Sequence, residues 1–229
     1  MKKLLTLLLA CSLATVASAQ CNAFYYLTKN TKVEISIYDG AGALTGKQNV
    51  AVTDVKNNGK AVVSTVHSVF TDKNGKEITT SDGKFSCDGD QFAIDMVSNL
   101  PSQLKNAKLT LKSGQSELNY PSKLSVGQHL PDNSLEMETE SGNMKMNLSY
   151  KVYARKVELK ENVKTPAGAW DCYKIVSKSD VKITMMGKVV PMNMTMVEWF
   201  APNFGIVKTE SISADGKGMG STVLTALKK

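Results

Sequence analysis

A two-residue period of apolar side chains, punctuated by Asn-Gly and Asp-Gly pairs, restricts this chain to antiparallel sheet. Val33, Ile35 and Ile37 alternate with Glu34, Ser36 and Tyr38, so one strand face is apolar and the other meets water. Asp39-Gly40 ends that strand. The pattern then repeats: Val50 to Val55 before Asn57-Asn58-Gly59, Ala61 to Thr71 before Asn74-Gly75, and Ile78 to Ser81 before Asp82-Gly83. Lys84 to Cys87 before Asp88-Gly89, and Gln91 to Val97, complete the first half. These dipeptides supply the positive φ angles that tight hairpins need, so strands adjacent in sequence are expected to be adjacent in the sheet. The second half predicts longer strands over Asn143 to Glu158, Trp170 to Ser177, Val181 to Met186, Val189 to Phe200, Gly205 to Ser213 and Met219 to Leu227. Pro191 cannot donate to a ladder, so its strand is an edge there or begins after it. The best helix candidate is short, Ser102 to Ala107. Between the halves, Tyr120 to Asp132 is loop-rich and reads as a crossover within one sheet system.

The amino terminus sets the compartment. Lys2-Lys3, an apolar run from Leu4 to Val16 broken by a few small polar residues, and Ala17-Ser18-Ala19 spell an export signal cut before Gln20. Residues 1–19 are therefore the expected signal and 20–229 a single exported β-rich domain. Leu8-Leu9-Ala10-Cys11 is the rival reading, a lipoprotein box that would place an acyl anchor on Cys11. No later segment approaches the ~20 consecutive apolar residues of a membrane-spanning helix. The expected location is the periplasm or the outer membrane's surface.

Cleavage removes Lys2 and Lys3 and no acid, leaving 26 basic against 21 acidic residues and a formal charge of +5. The lysines are scattered rather than gathered with aromatics in a stripe, which argues against nucleic acid as a partner. The exported part keeps Cys21, Cys87 and Cys172, so one pair and one leftover thiol is the simplest arithmetic in an oxidising compartment. Cys21 with Cys87 is the favoured pair, because Cys172 lies between Trp170 and Tyr173 in a segment that reads as a buried strand. No CxxC spacing supports a redox motif or a zinc ribbon.

Methionine is unusually concentrated. Nine of eleven lie between Met137 and Met219, and Met144 with Met146, then Met192, Met194 and Met196, recur every second residue on single strand faces. With Trp170 and Trp199 they form the candidate lining of an apolar cavity that adapts to variable ligand shapes. Thioether binding of copper is the sharper alternative, weakened because His67 and His129 stand far from any methionine pair. No nucleophile elbow, HExxH or P-loop string occurs. Glu198 beside Trp199 has no evident acid–base partner. The sequence therefore predicts no enzyme, no catalytic residue, no cofactor and no metal.

Several strings carry a resemblance. Thr165-Pro166-Ala167-Gly168-Ala169-Trp170-Asp171-Cys172-Tyr173-Lys174-Ile175, Val197-Glu198-Trp199-Phe200-Ala201-Pro202 and Gly205-Ile206-Val207-Lys208 resemble the exported TapB-like proteins of Gram-negative envelopes. Cys21 to Tyr26 and Leu124 to Gln128 extend the match, and Trp170 stands where phenylalanine is more usual. These proteins are distantly similar to lipoprotein carriers, and the resemblance implies a strongly curved antiparallel meander. Such a sheet makes a half-barrel or open barrel with at most one or two short helices. It implies an apolar or lipid-like ligand on the concave face. The alternatives are a structural or protein-interaction component of the envelope and methionine-based copper binding. A monomer is expected.

Overall fold

A computed structural model describes residues 21, 24–59, 61–89, 91–96, 108–141 and 144–228. The expected signal, the Cys11 anchor and the Ser102 to Ala107 helix lie outside these residues. After a single 3-10 turn at Tyr25–Leu27 come thirteen strands among the described residues: β1 Lys32–Asp39, β2 Leu44–Asn58, β3 Ala61–Asp72, β4 Glu77–Cys87, β5 Gln91–Asp95, β6 Lys108–Gly114 and β7 Glu117–Pro121. The rest are β8 Asn133–Ser141, β9 Met144–Thr165, β10 Gly168–Met185, β11 Lys188–Ala201, β12 Gly205–Ser213 and β13 Gly218–Lys228. The protein is nearly all β.

All thirteen strands join one antiparallel sheet, ordered β6-β8-β9-β10-β11-β12-β13-β1-β2-β3-β4-β5-β7. Two meanders, β1 to β5 and β8 to β13, follow the chain order that hairpin turns favour. The pairing of β13 with β1, from Lys32↔Lys228 to Asp39↔Gly220, joins them. The Tyr120 to Asp132 segment is a crossover within this sheet, because β7 pairs with β5 while β8 pairs with β6 and β9.

The sheet curls until its ends meet at one corner. Edge strands β6 and β7 are separated in sequence only by Gln115 and Ser116. Gln115 N–H donates to the Ser134 carbonyl at 3.0 Å, and Met96 N–H donates to the Ser116 carbonyl at 2.8 Å. One rim is thus tied across, yet no ladder joins β6 to β7 among the described residues, and the barrel stays open. Gly114 makes the corner possible. Its φ is 91°, and a Cβ there would lie 1.9 Å from the Ser134 carbonyl oxygen.

Some expected breaks are absent. Asp82-Gly83 lies inside β4, where Asp82 pairs with His67, and Trp170 to Met185 belongs to one unbroken strand. At the β1–β2 turn the left-handed residue is Gly42 (φ 81°), not Gly40, while Asp39 Oδ1 accepts the N–H groups of Ala41 and Ala43. Pro191 pairs with Lys182 of β10, whereas the β11–β12 ladder begins only at Met194, so the proline sits on a locally unpaired edge.

Burial alternates as the period-two pattern requires. In β3, Val62, Ser64, Val66 and Ser68 are buried and the residues between them are not. The N-terminal segment folds back onto the concave face, held by the Cys21–Cys87 disulfide, whose Cα atoms are 5.5 Å apart. Its rings extend an aromatic stack: Phe24 on Phe92 at 4.4 Å, Tyr26 on Phe85 at 4.5 Å, and Tyr120 on Phe200 at 4.8 Å between centroids.

Candidate functional site

The concave face is not completely filled. One cleft of about 330 Å³ is walled by Ile35 of β1, Val50 of β2, Phe70 of β3, Phe85 of β4, Phe92 of β5 and Leu224 of β13, with Tyr26 beneath. A second, of about 360 Å³, is lined by Met96, Leu118, Tyr120, Leu135, Met137, Leu148, Tyr150, Val181 and Glu198. Ile94 and Ile206 line both, so the two form one largely apolar groove along the inside of the sheet.

A small polar group lies at the floor of the second cleft. Glu198 pairs with Ile175 on one side and Thr209 on the other. The Tyr120 hydroxyl donates to its carboxylate, 3.1 Å from Oε1 and 3.0 Å from Oε2. Arg155 is buried with its guanidinium 5.0 Å from the Tyr120 ring centroid, and its Nη1 donates to the carbonyls of Asn119 and Pro131 at 3.1 Å each. A bulge puts it there. Ala154 has φ 51°, its N–H is held by Asp132 Oδ1 at 3.0 Å, and the inward parity changes from Val152 to Arg155 and Val157. Burial pushes the Glu198 carboxyl above the ordinary carboxylate range, partly offset by the Arg155 charge and the Tyr120 hydrogen bond. Burial also raises Tyr120 well above the usual phenol value, and Tyr150 in the same direction.

The sequence-predicted lining residues are distributed differently. Met192, Met194 and Met196 share the face of Glu198, opposite Val181, Ser179 and Ser177, but line neither cleft, although Val181 opposite Met192 lines the second. Met146 pairs with Met185 near the strand ends, and Met144 opposite Ser141 has a side chain outside the described residues. Trp199 is on the other face of β11, donating to Glu161 Oε1 at 2.7 Å beneath Lys208 Nζ, 4.3 Å from its ring. Trp170 donates to Thr165 Oγ1 at 3.1 Å and packs on Phe204 at 4.5 Å. Met96 and Met137 are the methionines of the groove. Leu135 and Met137 had a signal: Glu136 and Glu138 mark the polar face of β8, so its apolar face must carry their neighbours.

The other reactive side chains lie elsewhere. His67 Nδ1 is 2.8 Å from Asp82 Oδ1, on the strand face opposite that of the cleft residue Ser68. His129 makes an isolated bridge to Lys156. Cys172 is unpaired and buried, its thiol pushed up to about 12 chiefly by burial, with Asp171 and Glu161 adding to it. Among the described residues, no group of three or more His, Cys, Asp or Glu could hold a metal ion.

A single curled antiparallel sheet with an apolar, incompletely filled concave side defines the class of open half-barrels. Within it the chain belongs to the DUF3108-like family, whose profile matches residues 28–224. Its fold is similar to the crystal structure of a protein described as exported, with a YmcC-like fold, from Bacteroides fragilis. That match has a TM-score of 0.68 and 25% identity, and covers 88% of this chain and 97% of the other. It is also similar to a protein described as a lipoprotein from Parabacteroides distasonis, with a TM-score of 0.72, 21% identity and coverage of 89% and 98%. No curated protein matches the chain.

Proposed function

We propose that this is an exported envelope protein that binds or carries an apolar, lipid-like ligand in the groove of its half-barrel. The observation that carries the reading is the groove itself: two adjoining clefts of about 330 and 360 Å³, meeting at Ile94 and Ile206. A volume of that order accommodates an acyl chain or a molecule of drug size. The amino-terminal signal and the names of the two similar structures support the exported setting. The finer resemblance, to TapB-like proteins and lipoprotein-carrier half-barrels, belongs to the same reading. It asks for no catalytic step, cofactor or metal, and Glu198 serves as the polar point that orients a ligand.

Native mass spectrometry of the protein purified from its own envelope fraction, followed by denaturation and lipid extraction, tests it. The expected result is a co-purifying acyl species that leaves on denaturation and is lost from Ile206→Trp, where the indole fills the junction of the clefts. A clean apo mass that envelope lipids do not change would overturn the reading.

A further inference from the structure

The β10–β11 hairpin ends in apolar side chains that the sheet does not cover. Met186 is 79% exposed, Val189 57%, Val190 56% and Met185 48%. The two-residue turn is Met186-Gly187, with φ of 51° and 75°. A turn with both residues left-handed favours Asn or Gly at its first position, so local turn chemistry gives no reason for a methionine there. Because the β12 ladder starts at Met194, residues 188–193 pair only with β10 and the tip projects past its neighbour on that side.

Two features say what the tip meets. Val189 and Val190 are consecutive in a strand and so point to opposite faces, each more than half exposed. A protein packed against a ribbon covers one face, whereas a bilayer interface surrounds both. From Val181 to Val197 the chain carries Lys182 and Lys188, both exposed, and no Asp or Glu. On β8, which lies beyond β9 from the hairpin, Glu138 is held by Lys112 at 3.4 Å and Glu136 by Ser113 at 3.2 Å. Lys182, opposite Pro191, lies behind the apolar tip, while Lys188, opposite Met185, lies within it and reaches back to the headgroup layer on its flexible stem, so the hairpin end offers apolar surface and basic charge to an anionic membrane.

We propose that this hairpin tip is a membrane-contacting finger, inserting Met186, Val189 and Val190 among the acyl chains while Lys182 and Lys188 meet the headgroup phosphates. Three extended residues reach about 10 Å, within the depth of an interfacial segment. No helix among the described residues is long and apolar enough to cross a membrane, and the finger requires none. The inference stands apart from the ligand reading, because it uses none of the groove residues.

Flotation of the protein exported from a Cys11→Ser precursor, so that no acyl anchor contributes, tests the finger with vesicles of phosphatidylglycerol and phosphatidylethanolamine. The expected result is binding that falls at least about tenfold in Met186→Ser/Val189→Ser/Val190→Ser, with an unchanged circular dichroism spectrum. Lys182→Gln/Lys188→Gln is expected to weaken binding to these vesicles but not to phosphatidylcholine. In Val190→Trp the introduced indole should shift to the blue and be quenched by brominated lipid. Absence of flotation, or equal binding by the triple-serine variant, overturns the proposal. So does a dimer that this variant dissolves without any vesicle binding, since a second copy would then be the occupant.

Discussion

Glu198 is the residue whose environment most departs from what its neighbours in sequence suggest. Its carboxyl is shifted upward by burial, so the folded protein holds that proton more tightly than the unfolded chain does. The stabilising contribution is complete below the ordinary carboxylate range and is lost as pH rises through the folded-state value. The groups that face it are Tyr120 of β7 and Arg155 and Tyr150 of β9. Glu198→Gln keeps an acceptor for the Tyr120 hydroxyl and removes the ionisation. The variant is therefore expected to melt higher than the parent at pH 7, with the gap closing toward pH 4. Thermal melts across that range check the sign, and a variant less stable at pH 7 than at pH 4, relative to parent, would mean that attraction to Arg155 outweighs burial. Cys172 gives a second residue-scale prediction. With its thiol buried and pushed up to about 12, it should resist iodoacetamide at pH 8 in the native protein and react fully in urea.

At the scale of elements, the corner between β6 and β7 decides whether the sheet can curl shut at one rim. Gly114 has φ 91° and no room for a Cβ against Ser134, whereas Gly59, at φ 68° in the β2–β3 turn, has open space around it. Gly59→Ala should cost about 1 kcal/mol for the left-handed backbone alone. Gly114→Ala should cost at least about 2 kcal/mol, because backbone must also move. Urea unfolding of the two variants separates these contributions, and equal losses would remove the corner's special status. The bulge at Ala154 works at the same scale. It turns Arg155 inward by changing the parity of β9, which no period-two reading of the strand anticipates, since Asp132, its backbone partner, is 22 residues away.

Across the whole molecule, the disulfide ties the N-terminal segment into the concave face over a sequence separation of 66. In the chain-entropy description that constraint is worth about 4 kcal/mol. Cys21→Ser/Cys87→Ser should lose stability of that order in urea, and dithiothreitol should lower the midpoint of the parent but leave the variant unchanged. Alternation and turn residues sufficed to predict an antiparallel meander and the edge character of Pro191, because both rest on local spacing, while counting left three cysteine pairings and the buried-strand surroundings of Cys172 favoured Cys87 as the partner of Cys21. The methionine repeats on β11 were legible as one face, but not as side chains that line neither cleft, since which side chains border the groove depends on the curl of the sheet. The apolar lining formed by Ile94, Met96, Leu135, Met137 and Ile206 draws on three strands and the residue following β5, brought together by the curl of the sheet. What the sequence determined by itself is which residues alternate and where the chain can turn, because side-chain period and φ are properties of neighbouring residues. Only the tertiary structure decided that β13 lies beside β1, that Arg155 and Tyr120 flank Glu198, and that a groove stays open. These depend on register, curvature and closure, which arise between segments far apart in the chain.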